Sequence, residues 1–206
     1  MSLATLTTAI SSRLQNLSEV FSARRAPAGY RPGVTLEYLR RNLGLASFTS
    51  TGPASGVFFL EQGGLAVDVV ERTEAQLLMH LVMTQFTLTV PASEEGVARF
   101  ELHHSGSIRR TGLTYRQRSG EPLLLARLKA RIEDDQALQP LLMRLDFKSL
   151  HIDLHGQQWH LRLEHMGGSE VVNRMPAFRR YIALSVEQRA ALLSVLGGFE
   201  RVLRGF

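Results

Sequence analysis

The 206-residue chain has no cysteine, so disulfides, thiolate nucleophiles, iron–sulfur clusters and cysteine-ligated zinc are excluded. No apolar run approaches the roughly 20 residues that a membrane-spanning helix needs. Residues 1–10 place no basic side chain ahead of their apolar positions, so no secretory leader is expected and a cytoplasmic location is the simplest reading. Lysine is nearly missing as well: the net charge of +5 rests on arginine, with Lys129 and Lys148 the two lysines. Tyr115 is the one aromatic residue that the basic strands offer for base stacking, so nucleic acid is not an expected partner. The motifs G-x-x-x-x-G-K-S/T, G-x-G-x-x-G after a strand, G-x-S-x-G and H-E-x-x-H are all missing, and no cofactor is expected.

What the chain does have is alternation, on a 44% hydrophobic composition able to bury a core. In 123–132 (LLLARLKARI), Ala126, Leu128, Ala130 and Ile132 alternate with Arg127, Lys129 and Arg131, which predicts a half-buried inner strand. Alternating regions flank it at 97–118 and 147–165. Four turns are predicted between strands. Gly63-Gly64 sets Phe58 against Val69, and Ser105-Gly106 sets Leu102 against Arg109. Gly120-Glu121 sets Tyr115 against Ala126, and His155-Gly156 sets Ile152 against Trp159 and His151 against His160. Residues 76–90 read as one strand, bent or bulged, closed by Pro91 and followed by a polar loop at 92–96. Helical periodicity appears at Leu6, Ile10, Leu14, Leu17 and Phe21, then from a Thr35 cap to Gly44, over 136–144, and from a Ser185 cap to about Leu203.

The expected architecture is therefore α+β: a curved antiparallel sheet of about eight strands, with N-terminal helices and a C-terminal helix packed on its apolar face. The domain reading is a helical segment at 1–44 and a single α+β domain at 45–206.

Two polar groups of residues invite chemistry. On the outer face, Arg99, Arg110, Arg116, Arg118, Arg127, Lys129 and Arg131 are relieved by Glu101 alone. Like charges side by side on a sheet are costly, so either an anionic ligand or the acidic segments 61–74 and 133–135 should cover them. On the polar side of the late hairpin, His151, Asp153 and His160 are the material of a weak metal site.

The leading functional expectation is a non-enzymatic binding protein holding a small hydrophobic or amphipathic anionic ligand between sheet and helix. Arg116, Arg118, Arg127, Lys129 and Arg131 would serve its head group, and Met79, Phe86, Phe100 and Leu128 its apolar body. The alternatives are an assembly module, such as a homodimer, using the N-terminal helix and the arginine face, and a metal-dependent hydrolase at the late hairpin.

Overall fold

A computed structural model of the chain describes residues 29–60, 64–76, 79–106 and 110–206. The N-terminal stripe from Leu6 to Phe21 lies outside the described residues. Contacts divide the chain into Met1–Tyr30 and a body Arg31–Phe206, and the body is described here. In chain order it comprises α1 (Val34–Leu43), β1 (Thr49–Gly52), β2 (Ser55–Phe59), β3 (Ala66–Ala75), β4 (Met79–Ser105), β5 (Gly112–Ser119), α2 (Pro122–Asp134), α3 (Leu138–Arg144), β6 (Phe147–Arg174), β7 (Ala177–Ile182) and α4 (Val186–Arg204). The fold is α+β on a curled, wholly antiparallel sheet of seven strands, ordered β1-β2-β3-β4-β6-β7 with β5 also on β4.

β4 and β6 dominate the sheet. At 28 residues, a straight β6 would reach about 90 Å, far beyond the width of a domain this size. It folds back on itself instead. Ser149 Oγ donates to Glu164 at 2.9 Å, and Asp153 pairs with Arg162, which places the reversal at residues 156–157, where Gly156 has φ +59°. β4 pairs with both arms, residues 79–91 with 158–173 and 96–102 with 150–156, so residues 92–95 must wrap the tip of the β6 hairpin. β3 lies along the far edge of the first β4 arm and β5 along that of the second.

Two predicted turns therefore survive with their centres moved. The late hairpin turns one position beyond His155-Gly156, and Phe58 pairs with Val67 rather than Val69. Each register moves by two residues, which leaves every side chain on its face. The other two turns are corrected. Ser105 pairs with Gly112, and Leu102 with Tyr115 rather than Arg109. Gly120-Glu121 opens no hairpin: the predicted strand at 123–132 is α2. Its Pro122 occupies the first turn, where a missing N–H costs nothing. Leu124, Leu128 and Ile132 recur every four residues, with Leu128 and Ile132 fully buried, and the intervening Ala, Arg and Lys are strong helix formers.

One contiguous core joins the sheet to all four described helices. α4 contributes Leu192, Val195, Leu196, Phe199 and Leu203, all fully buried, and Ser185 forms the predicted cap as a capping box with Gln188.

Thr35 does not cap α1. The cap position is Gly33, at φ +82°, where a Cβ would lie 2.4 Å from the Pro53 carbonyl oxygen. The helix start is satisfied from the sheet instead: the Glu71 carboxylate accepts the N–H of Gly33 at 2.9 Å and of Leu36 at 2.8 Å. Thr35 Oγ1 donates to Glu170, which also takes both arms of the Arg179 guanidinium. Burial raises the Glu170 carboxyl, and Arg179 and Thr35 outweigh it, leaving the group below its ordinary value.

Candidate functional site

Alternation in β4, β5 and β6 brings both predicted polar groups onto one outer sheet face. Glu101 is the hub: Arg118 lies 2.8 Å from its carboxylate, His103 3.4 Å and His151 3.8 Å. The Arg118 hydrogen bond is the main cause that lowers Glu101 to about 2. Asp153 is shared by Arg99 and Arg162. Arg116 stands opposite Glu101 in the β4–β5 register. The like-charge problem is thus resolved within the strands, with acids between the bases. The acidic segments pair elsewhere, Glu74 with Lys148, Glu133 with Lys129 and Asp135 with Arg201.

Arg127, Lys129 and Arg131 leave this face because α2 is a helix. Arg127 and Arg131 stand over the Phe206 ring, 5.2 and 4.7 Å from its centroid, and Lys129 stands 5.8 Å from that of Tyr115. Arg110 holds the end of α3 through the carbonyls of Met143 and Leu145 and the Asp146 carboxylate. Phe86, Phe100 and Leu128 are fully buried in the core, and Met79 opens β4 half-buried. His160 meets Thr89 Oγ1 at 3.2 Å, while Asp153 is engaged by two arginines. Among the described residues no three His, Asp or Glu side chains are grouped to hold a metal.

A cleft of about 280 Å³ lies between sheet and helix; of the ligand-binding residues expected from the sequence, Arg127 lines it. It exists because residues 92–95 swing round the β6 tip. Its walls are that wrap, the start of α2 from Glu121 to Arg127, Leu154 and Trp159 of β6, and Gly205-Phe206 beyond α4. Phe206 is tied down by Ser93, whose N–H donates to the Phe206 carbonyl at 2.9 Å, and its ring meets Trp159 edge-on at 5.6 Å. Trp159 in turn stacks on Phe100.

Two features of the cleft are chemically unfinished. Trp159 is 1% exposed, and its indole N–H has no acceptor among the described residues, a costly state for a buried donor. At the mouth, Val97 and Leu123 are 70% and 68% exposed. Exposed apolar contact area in a concavity beside a few polar groups is what small-molecule sites commonly present.

Residues 41–203, which are 163 of the 206, match a family model described as a protein of unknown function, DUF3156. The chain belongs to the DUF3156 family. No curated protein and no solved structure matches it. In this DUF3156 chain the match begins inside α1 and ends at Leu203. It takes in the whole sheet, α2, α3 and every cleft residue except Gly205 and Phe206.

Proposed function

We propose that this DUF3156 protein is a non-enzymatic binding protein, and that its ligand is a small amphipathic molecule held in the cleft between the β4 wrap, the start of α2 and Phe206. The observation that carries this is the cleft itself, open between these elements with Val97 and Leu123 exposed at its mouth and Trp159 in its wall. The ligand's apolar part covers Leu123, Leu124 and the Phe206 ring, and its polar part faces the open mouth. A volume of about 280 Å³ lies at or below the roughly 300–1,000 Å³ of drug-sized sites, so the ligand is small. The site therefore sits at one end of the sheet–helix junction, and Phe86, Phe100 and Leu128 act as packing behind it.

The test uses the one tryptophan in the chain. Trp159 emission is followed during titration with small aliphatic and aromatic alcohols, amines and acids. In parallel, protein purified without detergent is taken through native mass spectrometry and denaturing extraction. A saturable emission change, abolished by L123D, or a co-purified small amphiphile supports the proposal. No emission change with any compound and a clean apo mass refute it.

A further inference from the structure

Phe206 is held in the cleft wall in the manner of a bound molecule. α4 runs to Arg204, and Phe206 follows it back against the sheet, 7% exposed. Its ring has the Arg127 and Arg131 guanidiniums 5.2 and 4.7 Å from its centroid, and Trp159 edge-on at 5.6 Å. Its carbonyl oxygen accepts both the N–H and the hydroxyl of Ser93. Both arginines are exposed, and neither is joined to an acid among the described residues; what they share is this ring. A side chain that merely fills a core needs none of this. Two cations on one ring and two donors on one oxygen are the means by which a site recognises an aromatic group and a carbonyl. The empty cleft lies directly against the seat, since Phe206 is among its walls. Ser93, Arg127, Arg131 and Trp159 fall inside the span that the family model matches, 41–203, and Phe206 falls outside it.

We infer that the Phe206 seat is a binding site for small molecules in which an aromatic ring is joined through two carbons to a carbonyl, and that Phe206 is its resident occupant. The two-carbon link is that of Phe206 itself, whose Cβ and Cα separate ring from carbonyl. The incoming ring takes the place against Arg127, Arg131 and Trp159, and its carbonyl oxygen takes the two Ser93 donors. This rests on the ligand reading of the cleft above and adds the mode of entry: an arene of this class replaces the Phe206 ring instead of lying on it. The two modes predict opposite effects of losing that ring. Being tethered, the resident ring competes at an effective concentration on the order of millimolar, so the unaltered chain keeps the seat closed to a dilute ligand.

The probe is 3-phenylpropionamide, titrated into the full chain and read by Trp159 emission and calorimetry. Phe206→Ala, which removes the tethered competitor, is expected to bind it about tenfold or more tighter than the unaltered chain. In Phe206→Ala, 3-cyclohexylpropionamide should bind about tenfold more weakly than the phenyl compound, through loss of two cation–π contacts. Adding R127Q and R131Q should erase that difference. Phe206→Leu keeps an apolar side chain in the seat without the ring; it should show part of the same gain, and it decides the matter if Phe206→Ala does not fold. Variants that bind the probe no tighter than the unaltered chain overturn the seat, and so does a phenyl preference that survives loss of both arginines; the cleft reading stands in either case if the unaltered chain still binds an amphiphile. No response from either variant, together with none from the unaltered chain to the alcohols, amines and acids above, overturns both.

Discussion

Replacing Glu71 isolates how a helix with no cap of its own is anchored. Its carboxylate accepts two N–H groups at the start of α1, Gly33 at 2.9 Å and Leu36 at 2.8 Å, the latter buried. Glu71→Ala removes two charge-assisted bonds and leaves the Leu36 N–H buried without its acceptor. With about 1.5–3 kcal/mol for a hydrogen bond to a charged group and about 1–3 kcal/mol for an orphaned buried donor, partly overlapping, the expected cost is about 3 kcal/mol. In a domain of this size that lowers Tm by roughly 6–12 °C. Glu71→Gln keeps one acceptor oxygen and should cost about half as much. Glu74→Ala, which breaks only a surface pair with Lys148, is the control and should cost about 0.5 kcal/mol or less. Gly33→Ser cannot rescue the loss, because the positive φ and the Pro53 carbonyl leave no room for a Cβ. Thermal unfolding by circular dichroism gives the energies, and amide exchange at Gly33 and Leu36 locates them. A loss below about 1 kcal/mol in Glu71→Ala, with unchanged exchange at both amides, refutes the cap.

Three further predictions follow from the same geometry. Leu128→Ala should cost about 2–5 kcal/mol by opening a core cavity, whereas Leu123→Ala, five residues earlier and 68% exposed, should cost about 0.5 kcal/mol or less; equal costs in urea unfolding would contradict α2. Glu101, lowered by Arg118 to about 2 from 4.5, adds stability that is complete above about pH 4.5 and lost as pH falls through 2. Urea midpoints measured across that window should decline, and Glu101→Gln should flatten the decline. His165 is buried with its Nε2 accepting the Asp146 N–H and its Nδ1 facing the Gly167 carbonyl. Burial pushes its protonation below the ordinary 6.5, so the unfolded chain takes up the proton first and stability falls as pH drops below about 6.5. His165→Gln should make that slope shallower, and an unchanged slope would refute the assignment.

The fold class was legible because alternation marks faces, and faces tolerate errors of even register. Both displaced hairpins, at Gly63-Gly64 and at Gly156, moved by two residues and kept Phe58, Ile152 and Trp159 on the core side. The α2 error has a specific origin. Over 126–132, a strict alternation of Ala, Leu and Ile with Arg and Lys fits a strand and a helix equally. The discriminating signals were Pro122 at the helix start, the four-residue spacing of Leu124, Leu128 and Ile132, and the scarcity of β-branched residues. Only Ile132 supplies one.

The cleft was not legible, because nothing local to Glu94, Glu121, Trp159 or Phe206 declares that topology will bring them together. Pro91 does not close the strand and 92–96 is not the separate polar loop expected: these residues belong to β4, and their role in wrapping a hairpin tip depends on β6. The one usable hint was that the sole tryptophan carries a polar N–H into a position read as core. The Glu71 cap was hidden for the same reason, since donor and acceptor are 38 residues apart.

The nesting of β6 inside β4 also has a consequence for how the chain is made. The two arms of β4 are neighbours in sequence, joined by residues 92–95, but in the finished sheet each pairs with β6 and not with the other. As they leave the ribosome they have no native partner between them, and the turn-forming loop invites them to close on each other as a hairpin. Arg174, the last residue of β6, is made 69 residues after Ser105, which at about 5–20 residues per second is roughly 3–14 s later. Hairpins close in microseconds, so the nascent chain has ample time to form this wrong pairing. The later β6 hairpin must then pry the arms apart and insert between them. Synthesis therefore sets a deadline for this fold: the arms of β4 must be kept from each other until β6 arrives, or the native sheet is reached only by first undoing one.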